Sequence, residues 1–217
     1  MPTYLLLDDS SNVVKKFTSL KEEFPNTSFT RPYPQPEELP ANVVEVHVLP
    51  QPVPSPFQLP QPTAEVFNPA TGRWEQGWEL VVLPEAELAA ALVREKNILR
   101  ESINGWRLKA NFSHFTHQGK SFQCDTLSRS DIDGINGYVA THDAFPPGFP
   151  NAWKAMDNSY LPLPDIAAWK DFYSSMIAAG SLNFAHAQTL KTQLEAISIA
   201  PGEDGSAANA ALNAITW

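Results

Sequence analysis

The chain has 217 residues, a formal net charge of -9 and 43% hydrophobic residues, enough apolar material for real cores and a length that favours two compact units. Acidic side chains outnumber basic ones 24 to 15, and no basic cluster is longer than Lys15-Lys16, which argues against nucleic acid as a partner. The single cysteine, Cys124, excludes an internal disulfide, so the fold does not depend on an oxidising compartment and a reducing cytoplasm suits it.

The stretch from Met1 to Asp9 lacks a basic region and its apolar run is too short for a signal peptide or a span, so a soluble protein without membrane insertion is expected. Thr3 to Leu7 and Val13-Val14 flank the turn formers Asp8 to Asn12 and read as a hairpin. Ser19 caps a short helix from Leu20 to Phe24, which Pro25 stops. Ten of the 20 prolines lie between Pro32 and Pro62, in the runs Pro32-Tyr-Pro-Gln-Pro36 and Pro50-Gln-Pro-Val-Pro-Ser-Pro56. Such alternation blocks helix and central strand alike, and it implies extended, polyproline-like connections on a small β-rich domain. Asn42 to Leu49 is a strand between them by its β-branched alternation.

Ala64 to Phe67 and Trp78 to Val82 are two further strands across the turn Asn68 to Gly72. Pro84 then opens the longest helical pattern, with Leu88, Leu92, Leu99 and Ile103 in one stripe and Asn104-Gly105 at its end. A heptad seam also fits that spacing, but Glu95 would occupy a core position and fewer than three heptads are present, so a packing helix is the better reading.

Ala110 to Thr116 and Ser121 to Asp125 read as a hairpin across His117 to Lys120. Ser128 opens a helix over Asp131 to Thr141, and the aromatics of Phe145-Pro-Pro-Gly-Phe-Pro150 order the loop that follows. Trp153 to Asn158 reads as a structural corner in which Trp153 and Met156 share a helical face. One helix starts at Pro164-Asp165 and stops at Gly180, and Ser181 caps another that runs to Ile197. Beyond Pro201 the tail is small and polar with no evident core contribution; an unstructured terminus and an anchoring role for Trp217 weigh equally.

The fold expected is therefore α+β. It comprises a β-rich amino-terminal domain over 1–83 with a proline-rich segment at 32–62, and a connecting helix over 84–105. A carboxyl-terminal domain over 106–200, a β-hairpin plus three or four helices, and a tail over 201–217 complete it.

Catalytic motifs are missing: there is no phosphate-binding glycine loop, zinc-finger spacing, zinc-protease helix or serine nucleophile elbow. His114, His117, Cys124 and Asp125 come nearest to a metal site. The two histidines are an odd number of residues apart on a strand, which turns them to opposite faces. Nothing local activates Cys124 as a nucleophile toward His142 or His186, and Asp125, Asp131, Asp133, Asp143 and Asp157 sit where caps and turns use aspartate. No enzyme, cofactor or metal is expected.

Phe112 to Ala196, through Gly119-Lys-Ser-Phe-Gln-Cys-Asp125, Ser128, Trp153-Lys-Ala-Met-Asp-Asn158, Leu163, Lys191 and Gln193-Leu-Glu-Ala196, resembles a domain of unknown function. That domain recurs in bacteriophage and prophage tail proteins, commonly at the carboxyl end of small proteins encoded near tail fibres. Phe24-Pro-Asn-Thr-Ser-Phe29 and Trp74-Glu-Gln-Gly-Trp78 resemble tail-fibre assembly and tail-tip proteins.

The resemblance implies a structural component of a tail fibre, tail tip or baseplate, residing in the virion tail and in the host cytoplasm during assembly. Its partners would be other tail or fibre proteins or copies of itself, a trimer by analogy. A tail-fibre assembly chaperone is the first alternative. A glycan-binding receptor module is the second, and it would need exposed tryptophan and paired carboxylates in one groove. Trp74, Trp78, Trp106, Trp153 and Trp217 are the candidate partner contacts, with core packing the competing role for most of them.

Overall fold

A computed structural model describes residues 2–27, 29 and 38–217. The proline run Pro32 to Pro36 lies outside the described residues. The fold is α+β, and the chain divides into two compact units, Met1–Pro84 and Glu85–Trp217.

The first unit is one five-stranded sheet. β1 (Thr3–Leu7) and β2 (Val13–Phe17) form the expected hairpin, turned on Asp8, whose carboxylate accepts from the backbone N–H of Ser10 and Asn12 at 2.9 and 2.8 Å. Ser19 caps α1 (Leu20–Glu23) as expected, its hydroxyl accepting from Glu22 N–H. β3 (Val43–Val48) runs antiparallel to β1 and parallel to β5 (Arg73–Val82), and β4 (Gln58–Asn68) closes the order β2-β1-β3-β5-β4.

β4 starts earlier than the sequence suggests and carries Pro60 and Pro62 opposite Leu80 and Trp78. Proline is admitted there because β4 is an outer strand, where an N–H pointing away from the sheet has no ladder partner to lose. One sheet face holds Tyr4, Val43 and Leu20, with Leu6, Phe17 and Phe24 packed against them; Leu5 and Val46 are buried on the other.

The second unit is built on two long helices. α2 (Glu85–Asn111) passes through Asn104-Gly105, where the sequence suggested an end. α4 (Ile166–Ala196) passes through Gly180 and Ser181, where two helices were expected. A helical glycine costs only about 1 kcal/mol, and side-by-side packing outweighs it. Lys191 Nζ donates to Asn104 Oδ1 at 2.7 Å, Asn183 Nδ2 to Asn111 Oδ1 at 2.9 Å, and Lys96 Nζ to the Glu195 carbonyl at 2.9 Å, tying α2 to α4 along their length. The tail beyond Pro201 is not featureless: α5 (Ser206–Ala214) packs on α2 and, with Ile215 after it, buries Ala208, Leu212 and Ile215.

Between α2 and α4 the chain makes β6 (His114–His117), β7 (Lys120–Gln123), α3 (Thr126–His142), β8 (Ala152–Lys154) and β9 (Tyr160–Pro162). Gln118 and Gly119, with φ of 46° and 74°, form the tight two-residue turn that the right-handed twist of a hairpin favours. The core of this part is aromatic: Phe115, Phe122, Trp169 and Phe172 are buried with Ile132, Val139, Leu161, Leu163 and Met176. Phe172 lies 5.1 Å from Phe115 and 5.0 Å from Phe122 between ring centroids. Such pairs contribute about 0.5–1.5 kcal/mol each beyond the area they bury.

Candidate binding groove

A groove of about 840 Å³ opens in the second unit between α3 and the β8–β9 hairpin. One wall is α3. Its cap is Asp125, not Ser128: the Asp125 carboxylate accepts the Ser128 N–H at 2.8 Å, and that bond holds its carboxyl below the usual carboxylate range. Starting the helix there puts Ser128, Asp131, Ile135 and Tyr138 at spacings of three, four and three, a single face, which they turn to the groove.

Pro146, Phe149 and Pro150 line the groove from the loop after α3. As expected from its aromatics, that loop is ordered by rings: Phe145 stacks on Phe149 at 4.6 Å, and both meet Trp169 edge-on. Asp143, Gly148 and Asn151 take positive φ, which lets the chain reverse in so few residues.

The second wall is where sequence reading went furthest astray. Trp153 to Asn158 is a strand and a turn, not a helix, and Met156 is exposed. Asp157 and Asn158 do build the turn before Tyr160, since Asp157 Oδ1 accepts from the N–H and hydroxyl of Ser159 at 2.9 and 2.6 Å. Lys120 Nζ also reaches the Ser159 hydroxyl, at 2.6 Å, fastening the turn to β7. Trp153 packs inward against Trp169 and Phe172 at 5.8 and 5.9 Å, and its outer parts line the groove.

Among the aspartates of this unit, Asp131 stands apart. Asp125 and Asp165 cap helices, Asp133 meets Arg129 and Tyr173, Asp143 meets Lys170, Asp157 and Asp204 hold turns, and Asp171 faces His117. Among the described residues Asp131 has no such partner, and neither does Lys154 on the opposite wall. The groove thus holds one uncommitted carboxylate and one uncommitted ammonium among aromatic and amide groups. It can hold a ligand by shape and polar contacts, but its lining supplies no second carboxylate for paired acid and base work.

Of the tryptophans singled out in the sequence, only Trp153 lines this groove. Trp74 and Trp78 share a face of β5, where the Trp78 indole N–H donates to the Leu49 carbonyl at 2.8 Å. Trp106 is half-buried on α2, and Trp217 lies exposed against His186, ring centroids 4.8 Å apart. The sixth, Trp169, is the one fully buried, and its indole N–H has no hydrogen-bond partner.

His114 and His117 do face opposite sides of β6: His114 is exposed and His117 buried. Among the described residues no three His, Cys, Asp or Glu side chains converge as a metal-binding group. Burial pushes the Cys124 thiol up, away from the thiolate that nucleophilic chemistry needs. One constellation escaped the sequence reading because its members are 58 residues apart: His117 Nδ1 lies 2.8 Å from Ser175 Oγ, and its Nε2 lies 3.9 Å from Asp171 Oδ2. The Ser175 hydroxyl also reaches the carbonyl of Asp171, one helical turn back, at 3.1 Å, and the tautomer of His117 sets which of imidazole and hydroxyl donates to the other. The trio gives the buried His117 ring a hydrogen-bond partner in Ser175 and a carboxylate neighbour in Asp171.

Residues 94–216 match the model of a family described as a domain of unknown function (DUF4376), from the middle of α2 to the penultimate residue. No curated protein and no solved structure matches the chain. Among the described residues no helix is long and apolar enough to cross a membrane.

Proposed function

The chain belongs to the DUF4376 family, and on that premise we propose that it is a structural component of a bacteriophage tail, working through protein–protein contacts and not through catalysis. The observation that carries this reading is the β4–β5 hairpin: no residue of either strand is buried, although they span 11 and 10 residues. Leu59, Val66 and Phe67 of the outer strand are 49%, 64% and 47% exposed. Apolar side chains exposed along a long outer strand lose less to water when another protein covers them. The setting, a virion tail with tail or fibre proteins or copies of this chain as partners, comes from the likeness of residues 112–196 to tail-associated proteins.

Charge placed on this hairpin tests the reading. Leu59→Glu with Val66→Lys changes two side chains that are 49% and 64% exposed, so the variant folds and stays soluble. It is expected to drop out of assembled particles. Incorporation at the wild-type level would refute the reading.

A further inference from the structure

The groove in the second unit has a feature that its side chains alone do not explain. Ala152, Trp153, Lys154, Ala155 and Met156 all line it. A strand seen face-on contributes alternate residues; all three of β8 and the two that follow it, in succession, mean that the backbone edge of this segment borders the groove.

Hydrogen bonding agrees. Leu163 N–H donates to the Asn151 carbonyl and Ala155 N–H to the Ser159 carbonyl, each at 2.8 Å, so the odd-numbered residues of β8 face β9. The N–H and C=O groups of Ala152, Lys154 and Met156 therefore point the other way. Met156 N–H is taken by the Ser121 carbonyl of β7 at 2.9 Å. Among the described residues nothing takes up Ala152 or Lys154: after that single bond β7 and β8 part, and α3 stands across the gap.

We propose that this edge is a strand-addition site, where an extended segment of a partner polypeptide pairs with Ala152 and Lys154 and lies between β8 and α3. The inference rests on the reading of the chain as a protein-contact component. Two outward residues on one strand present their groups about 7 Å apart, the repeat of an added strand. Asp131 and Lys154, each without a partner, select the segment by charge: a basic side chain turned toward α3 meets Asp131. Phe149, Met156 and Tyr160 take the apolar neighbours. A glycan's hydroxyls meet single N–H and C=O groups, whereas an extended peptide repeats its own at the roughly 7 Å spacing of this edge.

The test uses the full chain, nitrogen-labelled, titrated with the capped peptide Thr-Val-Lys-Val-Thr and with its Glu-centred counterpart, followed by the amide resonances of residues 120–160. The Lys peptide is expected to shift Ala152 and Lys154 and to slow their amide exchange. Methylating one alternating set of peptide nitrogens should abolish binding, while methylating the other set leaves it intact. Asp131→Lys, which breaks no contact, should reverse the preference for the Lys over the Glu peptide, by about fivefold for one exposed charge pair. Three results overturn the proposal: no shift at Ala152 and Lys154 with millimolar peptide, equal sensitivity to both methylation sets, or an unchanged preference in the Asp131 variant. None of them touches the proposed function, which the hairpin variants test separately.

Discussion

The Lys16 ammonium of β2 meets the Glu65 carboxylate of β4, so the first and last strands of the sheet touch. In a flat sheet four interstrand steps separate them by about 19 Å, more than the two side chains bridge. The sheet must therefore curl, and the face that carries Leu5, Val46 and Trp74 is its concave side. Burial pushes the Glu65 carboxyl up, but the Lys16 ammonium and a backbone N–H outweigh it, and the group stands below its ordinary value. A depressed carboxyl stabilises the fold above its unfolded value, roughly pH 4.3, and that contribution fades as pH falls through the folded value. Lys16→Met is expected to cost about 1 kcal/mol at pH 7 and less as pH falls below 4. Urea melts of wild type and variant across that pH range check this.

Trp169 is fully buried, and its ring meets Phe145, Phe149, Trp153 and Phe172. Trp169→Ala should destabilise the second unit by about 3–5 kcal/mol. Trp169→Phe should cost distinctly less, because the indole N–H it removes is unpaired and the remaining ring keeps most contacts. Denaturant midpoints with near-ultraviolet dichroism separate the two; equal losses would mean that the N–H has a partner after all.

Two glycines should respond with opposite signs. At Gly119, φ is 74°, which an L side chain adopts at a cost, so Gly119→Ala should destabilise by about 1–2 kcal/mol. At Gly180, inside α4, an added Cβ meets only Asn111 Oδ1, at 4.0 Å, an ordinary contact. Gly180→Ala should raise stability by about 0.5–1 kcal/mol. Thermal melts of the two variants give the signs directly.

Removing residues 201–217 should be far more damaging than removing Trp217 alone. Leu212 and Ile215 are buried and Trp217 is 42% exposed. At about 1.5–3 kcal/mol for each buried aliphatic side chain, the longer truncation costs on the order of 4 kcal/mol. Calorimetry of both truncations checks the ranking.

Elements whose signals are local were readable from the sequence: the β1–β2 hairpin from Asp8 to Asn12, the cap at Ser19, the turn at Gln118-Gly119, and the aromatic loop at Phe145 and Phe149. Errors came where distant packing decides. Gly105 and Gly180 look like helix stops until α2 and α4 lie side by side. Trp153 and Met156 carry helical spacing, yet the bond from the Met156 N–H to the Ser121 carbonyl and the pairing with β9 hold that segment extended. Leu212 and Ile215 read as tail because the surface that buries them belongs to elements remote in sequence. The groove followed the same logic: Asp131 was visible as a carboxylate, but only the folded chain shows it to be the aspartate of its unit left without a partner.

The central claim is that the chain is a resident part of a tail. Quantitative mass spectrometry of purified particles beside infected-cell lysate tests it most directly. A fixed copy number in particles, in proportion to known tail components, is the result expected. Presence in lysate bound to fibre protein, with none in finished particles, would contradict it and make the chain an assembly chaperone.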